Sequence, residues 1–167
     1  MTSDVEAAYR EWHATQAAGR DIEIYVESSS KGLVGPVAAI AECVERQAIC
    51  EDLVVMMGDS LPTVNVLDFV SGAANQPRIV VHRLPRNQDA RRFGVVEIGK
   101  EDTVLSFEEK PDFPRSAWVF TGCLLYPKGL LSELRAIASS CPPQMGSLVN
   151  AFLDLGRQVG VYHLAGE

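Results

Sequence analysis

The sequence predicts an α/β domain with a mixed, mostly parallel sheet, and three observations carry that reading. Apolar or alternating runs at 21–27, 53–57 and 77–84 are separated by segments whose apolar residues recur at helical spacing. That order, α-β-α-β-α-β, is the signature of a parallel α/β sheet. The run LVVMM at 53–57 is apolar without alternation, the pattern of a strand buried on both faces. In the second half, VVEIG and TVLSFEEKP flank a short polar turn at 100–102. Two such strands read as a hairpin and make the sheet mixed.

Each element has its own local reason. Ser3 and Glu6 have capping-box spacing, and Val5, Ala8, Tyr9 and Trp12 follow on one helical face, with Gly19 as the stop. Residues 21–27, DIEIYVE, alternate Ile22, Ile24 and Val26 with polar or amphipathic residues, a strand with one buried face. After the loop SSSKGLVG, Pro36 suits the first turn of a helix running through PVAAIAECVERQAI. The strand at 53–57 comes next, then Gly58 and Asp59, a short helix from about Thr63 to Gly72, and the strand PRIVVHRL. A polar basic loop, PRNQDARRFG, leads into the hairpin, and WVFTGCLLYP is a further buried strand. Leu130, Leu131, Leu134 and Ile137 mark one helix, Ser147 caps another, and GVYHLAG closes on a strand.

Composition bounds the partners. The 167 residues suit one domain over 1–167, with 47% apolar and 22% charged residues. A net charge of −7 argues against nucleic-acid binding and for a soluble cytoplasmic protein. No stretch approaches the ~20 apolar residues of a membrane span, so no membrane partner is expected. Cys43, Cys50, Cys123 and Cys141 have no CxxC or metal spacing and read mostly as reduced, buried residues.

Four places set a small residue beside a polar one at the end of an apolar run: Gly32/Gly35, Gly58-Asp59, Gly94 with Glu109-Lys110, and Thr121-Gly122. Asp59 either opens an ordinary loop or serves as a hard-cation ligand at a strand's carboxyl end, where open α/β sheets bind ligands. A lone Glu-Lys pair is commonly a solvated salt bridge. Order and spacing are more telling than any single place. GLVGPVAAIAE, VVMMGDSLP, RRFGVVEI, SFEEKP and VFTGCLLYPK together resemble the sugar-1-phosphate nucleotidyltransferases, the glucose-1-phosphate thymidylyl- and uridylyltransferases and mannose-1-phosphate guanylyltransferases. The resemblance spans about residues 9–166.

The resemblance implies a Rossmann-like three-layer α/β/α nucleotidyltransferase fold and transfer of a nucleotidyl group from an NTP to a sugar 1-phosphate, with release of pyrophosphate. It implies that Gly32 packs against the base, that Gly35 and Pro36 open the next helix, and that Asp59 holds Mg²⁺ between the substrates' phosphates. Gly58 lies beside it. By the same resemblance Gly94 is expected to meet the sugar hydroxyls through its backbone, Glu109 to accept hydrogen bonds from them, Lys110 to bind the sugar phosphate, and Thr121 and Gly122 to close over the sugar as a loop. The resemblance thereby implies that Asp59 and Lys110 are the catalytic pair. Glu27, five residues before Gly32, either reads the base, where a carboxylate suits guanine's two N–H donors, or is an exposed strand residue.

The sequence departs from the family pattern at both ends. It lacks the opening strand and G-G-x-G-T-R-L triphosphate loop and the later W-x-D-x-G stretch with a second metal ligand, so the fold is expected to be N-terminally truncated. Arg83, Arg86, Arg91 and Arg92 offer charge without a helix to supply a phosphate nest. Without its first strand the sheet exposes an unpaired edge, so a homo-oligomer or a complementing chain is expected. The alternative function is a non-catalytic truncated paralogue that binds sugar phosphate or nucleotide, or regulates a full-length partner.

Overall fold

The computed structural model describes residues 3–16, 22–25, 35–60, 63–73, 75–86 and 88–164. By contacts the chain falls into two units, Met1–Val34 and Gly35–Glu167. In the first, helix α1 spans Ser3–Gln16, with Arg10 paired to Glu6 one turn earlier. Residues 22–25 form no strand, contrary to the alternation of DIEIYVE. Alternation tells which side chains share a face, but a strand also needs a backbone ladder, and the six strands of the sheet do not include 22–25. Gly19 lies outside the described residues.

The second unit holds α2 (Pro36–Arg46), β1 (Leu53–Met56), α3 (Val66–Ser71), β2 (Arg78–Arg83), β3 (Gly94–Ile98), β4 (Val104–Glu109), β5 (Trp118–Tyr126), α4 (Leu134–Ser140), α5 (Ser147–Asp154) and β6 (Gly160–His163). The strands form one sheet in the order β4-β3-β5-β2-β6, with β1 paired to β5. The sheet is mixed, as expected, but mostly antiparallel. Only β2 and β6 run parallel, whereas β1, β2 and β3 are all antiparallel to β5 and β4 is antiparallel to β3. One reversed strand at the centre, β5, turns every contact it makes antiparallel.

The layers follow from the pleat. Ile79 and Val81 of β2, with Leu124 and Tyr126 of β5, face a core completed by α2, α4 and α5. Val80, Cys123 and Leu125 face the other way, onto Phe69 of α3. This is the three-layer arrangement, but β1 departs from it: Val54 and Met56 are 39% and 43% exposed. Leu53 and Val55 pack on the core, so β1 is covered on one face, not two. An apolar run is compatible with either arrangement, because nothing in it reports whether the second layer extends that far.

Helix ends also show where local chemistry decides. Pro36 occupies the first turn of α2 after Gly35, as its position predicts. The helix stops at Arg46, before the end of the apolar pattern, because Ala48 turns left-handed at φ 49°. Ile49 N then donates to Val44 O at 3.0 Å and Ala48 N to Glu45 O at 3.3 Å, a Schellman ending with alanine where glycine is usual. Ala48→Gly is expected to stabilise the unit by about 0.5–1 kcal/mol, read as a raised urea midpoint with unchanged slope. Ser147 does not cap α5; Gly146 holds the cap position and no side chain bonds there. Among the cysteines, all free, Cys123 is buried, Cys43 and Cys141 are half-buried, and Cys50 is exposed. Burial pushes the Cys123 thiol up.

Candidate functional site

The register of β5 builds the site. Met56 at the end of β1 pairs with Cys123, and Val95 at the start of β3 pairs with Val119, both on the same edge of β5. The two strands therefore lie head to tail along that edge, separated by residues 120–122. Four steps at about 3.3 Å each put roughly 13 Å between the two pairings. Into that gap run the turn after β1, which carries Gly58 and Asp59, and the start of β3 at Gly94. Gly94 is paired across the hairpin with Glu109, and Lys110 follows.

β5 itself is distorted here. Ile79 pairs with Leu124 but Val81 with Phe120, so two steps of β2 face four of β5. The bulge holds Thr121 and Gly122, which lie inside the strand and not in a loop. Gly122 is left-handed at φ 80°. The Thr121 hydroxyl donates to Val80 O at 3.1 Å, filling an acceptor that the bulge removes from the ladder. Thr121→Val keeps the shape and strands that carbonyl. A loss of about 1–2 kcal/mol is expected on thermal or urea unfolding, against little change for Thr15→Val on α1.

Met57 N donates to Gly122 O at 3.1 Å, tying the turn to the bulge, and Ser60 N donates to Met57 O at 3.1 Å to close it. Asp59 is exposed on this turn, and the Ser60 hydroxyl donates to its Oδ1 at 3.3 Å. At the other side of the gap, Lys110 is left-handed at φ 48°, held by its N–H to Phe93 O at 3.0 Å. Strained backbone of this kind gathers at ligand sites. Lys110 Nζ stands 4.0 Å from Glu109 Oε1, with the two side chains 65% and 37% exposed. The pair is loose and solvent-accessible.

Charge in the preceding loop is partly spent. Arg91 grips Asp89 through Nε at 2.9 Å and Nη2 at 2.8 Å, and that hydrogen bonding lowers the Asp89 carboxyl and raises Arg91. A lowered carboxyl contributes stability above its ordinary range and loses it as pH falls through the depressed value. Arg83 lies over the Trp118 ring at 5.8 Å. Arg86 and Arg92 have no ion pair among the described residues. Glu27 and Gly32 lie outside the described residues.

One member of the site has no counterpart in the sequence reading. A Cβ built on Gly94 would stand 2.5 Å from Phe107 Cζ and 3.2 Å from Glu109 Oε2; one on Gly146 would overlap the same ring and stand 3.1 Å from the same oxygen. A glycine before a helix reads as a cap, so pattern alone gives no signal of that second task.

A family model of nucleotidyl transferases matches residues 2–163, nearly the whole chain. The chain belongs to the nucleotidyl transferase family. Among relatives of this nucleotidyl transferase chain, a glucose-1-phosphate adenylyltransferase from Bacillus cereus is 26% identical over 152 residues, which cover 85% of the chain and 40% of the relative. One from Thermomicrobium roseum is 36% identical over 75 residues, 45% of the chain and 16% of the relative. The chain thus spans about 40% of the curated relatives it matches at greatest length. The inositol-1-phosphate CTP transferase of T. maritima shares the fold at TM-score 0.73 and 15% identity, over 98% of this chain and 64% of that one. A Bacillus anthracis structure described as a glucose-1-phosphate thymidylyltransferase in complex with a sucrose shares it at TM-score 0.66 and 21% identity, over 86% and 56%. These likenesses establish a Rossmann-like nucleotidyltransferase fold. No helix among the described residues is long and apolar enough to cross a membrane.

Proposed function

We propose that this nucleotidyl transferase domain handles an NTP and a sugar 1-phosphate at the gap between β1 and β3. The observation supporting it is the convergence there of Gly58-Asp59, Gly94 and Glu109-Lys110, three separate segments, in a chain of this family. In the reaction, an oxygen of the sugar phosphate attacks the α-phosphorus in line and pyrophosphate leaves. Two polyanions must be brought together, so positioning and charge neutralisation do most of the work. Lys110 supplies the cation for the sugar phosphate, and Glu109, acceptor-only when ionised, takes sugar hydroxyls.

Among the described residues no group of three or more His, Cys, Asp and Glu gathers to cage a metal. A lone exposed carboxylate on a tied turn nonetheless fits Mg²⁺, which is held by one or two carboxylates together with substrate phosphates and water. Asp59 would hold it, and the ion's chemistry there is neutralisation of phosphate charge.

Calorimetric titration with Mg²⁺ plus each NTP, and separately with hexose 1-phosphates, tests the reading on wild type, Asp59→Ala and Lys110→Ala. Lys110→Ala is expected to weaken hexose 1-phosphate binding about 10- to 100-fold, the loss of a charged hydrogen-bond partner. Asp59→Ala is expected to abolish the Mg²⁺ dependence of NTP binding. Wild type that binds neither class of ligand overturns the proposal.

A further inference from the structure

We propose that Gly146 is a positioning residue of this site. With Gly94 it forms a side-chain-free slot that sets the Glu109 carboxylate where it meets the hydroxyls of a sugar phosphate. The inference rests on the functional reading above and extends it to a third wall, the start of α5.

The backbone does not require glycine at this position. Gly146 sits at φ −61° and ψ −19°, a conformation that any residue adopts. As a helix cap, serine, threonine, aspartate or asparagine would serve as well or better. What excludes a side chain is contact. The Phe107 ring and Glu109 Oε2 fill the space a Cβ needs, and they are the two neighbours that Gly94 meets from β3. Two glycines from segments far apart in sequence therefore close on one ring and one carboxylate oxygen.

The ring cannot yield easily. Phe107 is 7% exposed and stands edge-on to Phe120 at 6.0 Å between centroids. Met145 and Ser147, on either side of Gly146, are 7% and 8% exposed, so the start of α5 is also packed in place. Glu109 is the partner with freedom to move, since its side chain is 37% exposed. A methyl group at 146 would overlap the ring, forcing a small shift between the ring and the start of α5. It would also push aside the carboxylate, the freer of the two neighbours; Lys110, at the phosphate end of the site, is not among the nearest contacts.

The test separates the sugar end from the phosphate end. Hexose 1-phosphate and inorganic phosphate are titrated into wild type, Gly146→Ala, Glu109→Ala, the double variant, and Gly129→Ala, a glycine with nothing near its Cβ position. Gly146→Ala is expected to weaken hexose 1-phosphate by about tenfold while inorganic phosphate changes less than about twofold, and Gly129→Ala to change neither. In the Glu109→Ala background, Gly146→Ala is expected to add nothing further. Equal losses for both ligands, or full additivity in the double variant, would mean a packing role only and overturn the proposal. If Gly146→Ala does not fold, Phe107→Leu is added to make room. The same ligand contrast is then read between Phe107→Leu alone and the pair. Wild type that fails to bind hexose 1-phosphate overturns the functional reading itself; wild type that binds it, with Gly146→Ala indistinguishable, overturns this inference alone.

Discussion

Phe152→Ala is expected to cost the Gly35–Glu167 unit about 3–5 kcal/mol, enough to take most of the stability of an ordinary domain. Phe152 lies on α5 with no solvent exposure, its ring tilted against Tyr126 at 5.1 Å. The cavity left by the ring has little chance to collapse. Tyr126 is itself fully buried and its hydroxyl donates to Leu130 O at 3.0 Å, which fixes that wall; burial also pushes the phenol up, so it remains a donor. The measurement is a urea denaturation series with Leu155→Ala as control. Leu155 is only one turn further on but 48% exposed, and its loss is expected to cost no more than about 0.5 kcal/mol. Equal midpoint shifts for the two would refute the assignment of α5 as the helix that seals this core.

The contrast between those two residues shows what the sequence made legible. Apolar spacing located nearly every element of the second unit, because burial imposes a period on each helix and strand separately. Neighbours are another matter. A strand's pattern reports its faces and says nothing of what lies along its edges. That is why the reversal of β5 at the centre of the sheet, and with it the antiparallel majority, could not be read from WVFTGCLLYP. DIEIYVE has the alternation of a strand, yet its described residues, 22–25, are not assigned to one. The candidate site divides in the same way. Asp59 and the Glu109-Lys110 pair stand out as charges ending apolar runs. That their segments lead to one gap depends on β1 and β3 sharing an edge of β5, which is a property of pairing. Gly146 left no trace at all, since its reason is the ring of a residue on another strand.

Gly122→Ala tests the join between fold and site. Two independent penalties meet at this residue. Its φ of 80° lies where a Cβ clashes with its own carbonyl, costing roughly 1–2 kcal/mol. A Cβ there would also stand 2.8 Å from Met57 Cγ and 3.0 Å from Met57 Cβ, an overpacking cost of about 1–3 kcal/mol. Together the loss is expected to be about 2–5 kcal/mol, and the two parts can be separated. Truncating Met57 in the same chain removes the contact and leaves the backbone strain, so Gly122→Ala/Met57→Ala should recover part of the loss relative to Met57→Ala alone. No recovery would assign the whole effect to the backbone, and no loss in Gly122→Ala would mean the bulge is not left-handed. Because Met57 N donates to Gly122 O, the clash pushes directly on the turn that carries Asp59. On the proposed function, Mg²⁺-dependent NTP binding should therefore fall in Gly122→Ala even at temperatures where the chain is folded, and return with Met57→Ala. A bulge that served packing alone would leave that binding untouched in the folded chain.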